Sequence, residues 1–191
     1  MKKRTALALT VATVSLLFLG FARLPDGAQP VQGFELEQFY GRWYEIARSD
    51  NRWERGLDNV TATYSPLPNG DIEIRNRGRK TASGEWTEST GRAEFVGPND
   101  IGRLKVSFFG PFYIGYNVLA HDTDENSYML VCGSNHKYLW ILAREPVLEP
   151  GIVDELLVIA EQQGFDVDDL IFVDHDLAEP TRRDNTRLAS N

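Results

Sequence analysis

Gly41-Arg42-Trp43-Tyr44-Glu45-Ile46-Ala47-Arg48 decides the fold, together with Trp140-Ile141-Leu142-Ala143-Arg144 near the other end of the chain. Both stretches are short and rich in aromatic and aliphatic side chains, which reads as strand. Between them lie further short alternating runs, each bounded by turn residues. Strands are predicted at 42–49, 59–65, 71–76, 86–96, 103–109, 116–121, 128–132 and 138–144. Pro68-Asn69-Gly70-Asp71 is a hairpin turn in which Gly supplies the positive φ. Short strands at regular spacing make a barrel or a sandwich. If consecutive strands alternate in direction, the start of the first and the end of the eighth fall at the same end. Trp43 can then stack with Arg144, a cation–π contact of roughly 1–2 kcal/mol when desolvated.

In order and spacing these segments resemble the lipocalin family. The resemblance rests on Gly41-x-Trp43 and on Arg144. Val60-Thr61-Ala62-Thr63-Tyr64-Ser65, Leu104-Lys105-Val106-Ser107-Phe108-Phe109-Gly110-Pro111-Phe112-Tyr113 and Gly164-Phe165-Asp166-Val167 carry it further. It covers 34–177 and points to the bacterial outer-membrane branch, with apolipoprotein D as an animal relative. It implies an all-β fold, an eight-stranded up-and-down antiparallel β-barrel with one C-terminal helix packed outside. It implies that Gly41, Trp43 and Arg144 build the closed floor, and that the interior takes one small hydrophobic or amphiphilic ligand.

The chain divides into 1–22, 23–33, 34–177 and 178–191. Lys2, Lys3 and Arg4 precede an apolar run over 5–22, and Gly20 and Ala22 are spaced like a signal-peptidase site. The run also approaches the length of a membrane span, so a signal peptide and a membrane anchor both stand open. Either places the protein in the bacterial cell envelope, periplasmic or membrane-associated. The outer-membrane relatives carry a lipid-bearing cysteine in the leader, and this leader has none. Residues 23–33, with Pro and Gly, read as a linker, and 178–191 as a polar tail. Cys132 is the one cysteine, which excludes an internal disulfide. The net charge of −8 argues against a nucleic-acid partner, whose phosphates demand cations.

One helix is expected from Pro150 to Gly164, with Ile152, Val153, Leu156, Leu157, Ile159 and Ala160 on its apolar stripe. Outward Leu139, Ile141 and Ala143 should face it, and a short closing strand follows near 170–173. Alternation, with Trp43 and Arg144 set inward, and the family pattern give the expected cavity lining. It comprises Ala47, Ala62, Ile74, Asn76, Val106, Phe108, Tyr116, Val118, Met129, Val131, Tyr138 and Trp140, with Glu45, Tyr64, Ile72, Leu104 and Leu142 also inward. Any one of these positions is equally a plain core residue.

Strand direction places Arg48, Arg52, Arg55 and Arg79 at the open end as candidate head-group residues. Arg77, Lys80, His136 and Lys137 join them, against Asp50, Glu54, Asp58 and Glu85. A mouth that is basic on balance attracts anions, although each charge alone is what a solvated loop carries. The aromatic segment from Phe109 to Tyr113 beside it suits ligand entry, membrane contact or a homodimer contact.

No catalytic set emerges. His121, His136 and His175 lie far apart without metal-ligand spacing, no cofactor motif is present, and no nucleophile has a base beside it. Cys132 follows inward Val131 and should point outward as an inert thiol. Glu45 is the odd inward carboxylate, expected to pair with Arg144 or Tyr64 near the floor. The resemblance implies a protein that carries or stores a fatty acid or lysophospholipid within the cell envelope. An enzyme acting on a cavity-bound lipid or carotenoid through Glu45, and a self-associating envelope scaffold, are the alternatives.

Overall fold

A computed structural model describes residues 22–176. The leader before residue 22 and the tail expected over 178–191 lie outside the described residues. The elements are α1 (Leu36–Phe39), β1 (Gly41–Arg48), β2 (Leu57–Pro66), β3 (Ile72–Lys80), β4 (Trp86–Phe95), β5 (Arg103–Phe109), β6 (Phe112–His121), β7 (Tyr128–Cys132), β8 (Leu139–Ala143), α2 (Pro150–Gln162) and β9 (Ile171–Phe172). Strands β1 to β8 pair antiparallel with their sequence neighbours, and β1 pairs with both β2 and β8. The sheet is therefore closed, and its edges are removed. This is the eight-stranded barrel that the sequence implies.

Period-two alternation gives the barrel an inside and an outside core. Trp43, Ala62, Ile72, Ile74, Val106, Met129 and Val131 belong to the inner one. Leu130, Leu139, Ile141 and Ala143 belong to the outer one and meet Val153, Leu156 and Ala160 of α2. Each fully buried aliphatic contributes roughly 1.5–3 kcal/mol, so both cores are needed. Helix α2 starts with Pro150 in its first turn, and the Gln163 amide caps it by donating to Ala160 O.

The even alternation is broken at four points. Strand β1 carries a bulge between Glu45 and Ala47, β2 one between Asp58 and Thr61, β5 one between Val106 and Phe109, and β6 one between Val118 and Ala120. A bulge inserts one residue and reverses which side chains face inward beyond it. The segment 110–113, expected as a loop, is half strand: Phe112 and Tyr113 belong to β6, and Phe109 pairs directly with Phe112 across the Gly110-Pro111 turn. Strand β9 pairs with Ala47 and Arg48, on the stretch of β1 beyond its β2 ladder. Val173 N donates to Ile46 O and Asn59 N to Asp174 O, so this segment is stitched to both strands.

Residues 23–33, expected as a linker, are packed against the barrel. The Arg23 carbonyl lies against Gly115 of β6, where an added Cβ would come within 2.7 Å of it, so only glycine fits there. Ala28 is buried in the outer core. Val31 N donates to Val118 O, and Phe34 N donates to Asp100 O in the turn at the closed end.

Candidate ligand-binding site

The floor is built first. The Arg144 guanidinium lies 3.8 Å over the Trp43 ring. Its Nη1 donates to Arg42 O at 2.9 Å, Nη2 to Gln38 O at 2.5 Å and Nε to Asn126 O at 3.3 Å. Trp43 Nε1 donates to Phe39 O, which ties α1 beneath the barrel. Gly41 sits at φ +97, a left-handed conformation that favours glycine, with Arg144 Nη1 at ordinary contact distance from an added Cβ. Burial lowers the pKa of Arg144.

Above the floor a cavity of about 20 Å³ is lined by apolar groups from α1 and from strands around the barrel, among them Phe34, Phe39, Ile72, Ile74, Leu104 and Met129. Tyr64 and Tyr116 also line it, and their hydroxyls are hydrogen-bonded at 2.7 Å. Burial raises the pKa of both phenols; the Tyr116 hydrogen bond opposes this at Tyr64, and the Glu45 and Glu54 carboxylates add to the rise.

Higher in the lumen stands a polar knot. Glu45 and Arg48 form an ion pair at 2.6 Å, both almost wholly buried. Arg48 Nη2 donates to the carbonyls of Glu54 and Leu57, while its Nε is buried without a partner. Glu54 accepts from Trp140 Nε1 at 3.0 Å and from Asn51 Nδ2 at 2.5 Å. Burial first, and the Glu54 carboxylate second, hold the Glu45 carboxyl well above its usual range despite Arg48. Tyr138 stacks between Trp140, at 6.2 Å, and Trp53, at 5.4 Å, and carries the aromatic lining out to the rim.

The expected lining residues fall as follows. Ala62, Ile74, Val106, Val118, Met129 and Val131 share the inner core with Trp43, and Phe108, Tyr116 and Trp140 pack against it half-buried. Asn76 stands opposite inward Ala62, with Oδ1 buried and unpaired. Ala47 is a correction: the β1 bulge turns it outward into the core under α2. Arg48 is the matching correction, because the same bulge turns it inward and takes it off the rim. Glu45 consequently pairs with Arg48, not with Arg144 or Tyr64. Cys132 lies in the outer core, and burial pushes its thiol up to about 12.

The remaining rim cations have neighbours. Arg55 pairs with Asp50 at 2.5 Å, Arg79 with Asp58 at 3.3 Å and Lys80 with Glu85 at 3.2 Å, while Arg52 lies 5.0 Å over the Trp53 ring. The mouth is thus closer to neutral than its count of arginines implies. Phe109 and Phe112 are exposed on the β5–β6 hairpin at the same end. Among the described residues, no cluster of His, Cys, Asp or Glu could hold a metal ion, and no helix is long and apolar enough to cross a membrane.

The lipocalin-like domain model matches residues 34–175. The chain belongs to the lipocalin family. The outer membrane lipoprotein Blc of Vibrio cholerae is 44% identical over 166 residues, covering 87% of this chain and 97% of that protein. Blc of Escherichia coli K12 is 47% identical over 149 residues, covering 78% and 84%. Mouse apolipoprotein D is 29% identical over 156 residues, covering 76% and 79%. Among solved structures, insecticyanin of Manduca sexta superposes with a TM-score of 0.66 at 24% identity, covering 81% of this chain and 88% of that one, a likeness of fold.

Two participants were not legible in the sequence of this lipocalin. Glu54, read as a rim charge, reaches inward to Trp140 because Asn51 folds the loop back through hydrogen bonds from the amides of Trp53 and Glu54 to its Oδ1. An Asn three residues before a Glu is the signal for such a turn. Helix α1 is too short for periodicity to mark, although Leu36 and Phe39 share a face.

Proposed function

We propose that this lipocalin binds one amphiphile, a fatty acid or a lysophospholipid, with its tail in the barrel and its head at the mouth, and carries or stores it in the cell envelope. The observation that carries the reading is the asymmetry of the lumen: a floor sealed by Trp43 and Arg144, apolar walls, and an open end lined by Trp140, Tyr138 and Trp53. Its likeness to outer membrane lipoproteins supports the envelope as the compartment. Admitting the tail requires the half-buried rings of Phe108, Tyr138 and Trp140 to give way, since the floor cavity is far smaller than an acyl chain. Burying a dozen methylenes gains about 10 kcal/mol. After the smallest association cost, about 4 kcal/mol, this leaves about 6 kcal/mol, an affinity of tens of micromolar.

The position of Glu45 supports a structural role and not catalysis, because Arg48 holds it in a buried ion pair. The test is displacement of a fluorescent fatty-acid probe from purified protein by unlabelled fatty acid and lysophospholipid. Competition at tens of micromolar is expected, weakened at least tenfold by Trp140→Ala. A protein that binds neither probe nor competitor overturns the reading.

A further inference from the structure

Tyr64 lies on β2 and Tyr116 on β6. Between these strands stand β3, β4 and β5 on one side of the barrel and β1, β8 and β7 on the other, so the two side chains start from opposite walls. They meet in the middle: the hydroxyls are 2.7 Å apart, and the rings approach edge to face at 6.2 Å. The pair forms a crossbeam over the lumen. Beneath it lies the apolar floor cavity, which both tyrosines line. Above it lies the knot of Glu45, Arg48 and Glu54, the two carboxylates near enough to act on the Tyr64 hydroxyl.

A buried hydroxyl separated from its partner keeps the full penalty of desolvation. A methyl end pushing between the rings would strand two of them and has only a small cavity to gain below. The beam is therefore the natural end of the path for an apolar chain entering from the mouth. Resting on the reading that the lumen takes an acyl tail, we propose that Tyr64 and Tyr116 are specificity-determining residues: their bridge sets the longest chain this lipocalin accommodates.

The experiment is a set of affinities for straight-chain alkanoic acids from about eight to about twenty carbons, each added methylene strengthening binding until the tail meets the beam. Wild-type affinity should climb with length and then level off. Tyr116→Val removes one half of the beam and joins the floor cavity to the lumen. The levelling point should then move to chains longer by about two to four carbons. Tyr64→Phe with Tyr116→Phe keeps the rings and removes the hydroxyls, which guards against a Val variant that fails to fold. It should move the same point by a smaller amount in the same direction. A levelling point unmoved in the folded Phe pair overturns the proposal while leaving lipid binding intact. Wild-type protein that binds no acid of any length overturns the binding reading and the length gauge together.

Discussion

At the scale of single residues, Arg144 has the most to lose. Its guanidinium covers an indole and satisfies three backbone carbonyls at once. Removing it abolishes the cation–π contact and takes this donor from Arg42 O and Asn126 O, while Gln38 O keeps the Asn126 amide, together about 2–4 kcal/mol. Arg144→Ala should lower the midpoint of thermal unfolding by about 10 °C, read by circular dichroism, and change ligand affinity of the folded protein less than threefold. Glu45 makes a prediction of opposite character. Its carboxyl binds a proton more tightly in the folded chain than in the unfolded one. Ionising it in the folded state therefore costs stability. That stability is level below the usual carboxylate range and falls as pH rises through the raised value. Glu45→Gln should flatten this fall in a series of melts across mildly acid to neutral pH. A slope equal to the wild type would place the titrating group elsewhere.

At the scale of elements, alternation let the sequence locate the strands, because a period of two leaves its mark on every residue. Trp43, Ile74, Val106, Met129 and Leu142 face inward as expected. The phase of that alternation was legible only up to a bulge. Ile46 and Ala47 carry no glycine or other mark of the inserted residue, so Arg48 read as a rim charge while the fold buries it. The β2 bulge is more visible in retrospect, since Asn59 adopts a left-handed conformation that Asn tolerates well. Helix α2 was readable end to end because Pro150 and Gly164 punctuate it. Its seam with the barrel is tested by Leu156→Ala. That side chain is 2% exposed in the outer core, and its loss should cost about 2–5 kcal/mol in chemical denaturation. A cost below about 1 kcal/mol would mean that the helix is an accessory to the barrel.

At the scale of the whole molecule, the sequence sets a basic mouth on a chain of net charge −8. Pairing with Asp50, Asp58 and Glu85 tempers that contrast. Exposed pairs add only about 0–1 kcal/mol each, so the tail must supply most of the affinity. A fatty acid should bind better than the alcohol of equal length, by no more than about tenfold at low salt, and the gap should narrow as salt rises. Replacing Arg52, Arg55 and Arg79 together by Gln should close it. Equal binding of acid and alcohol at low salt in the unaltered protein would show that the rim is indifferent to charge.

The packed course of residues 22–34 has a consequence for any attachment made through its first residue. This segment runs along the barrel wall from the Arg23 carbonyl, beside Gly115 and Ser134 near the mouth, to Phe34 at the closed end. Residue 22 thus stands beside the mouth and not beneath the sealed floor. An attachment made through it would have the portal, not the base, at the short end of its leash, and cargo would travel the least distance to the lumen.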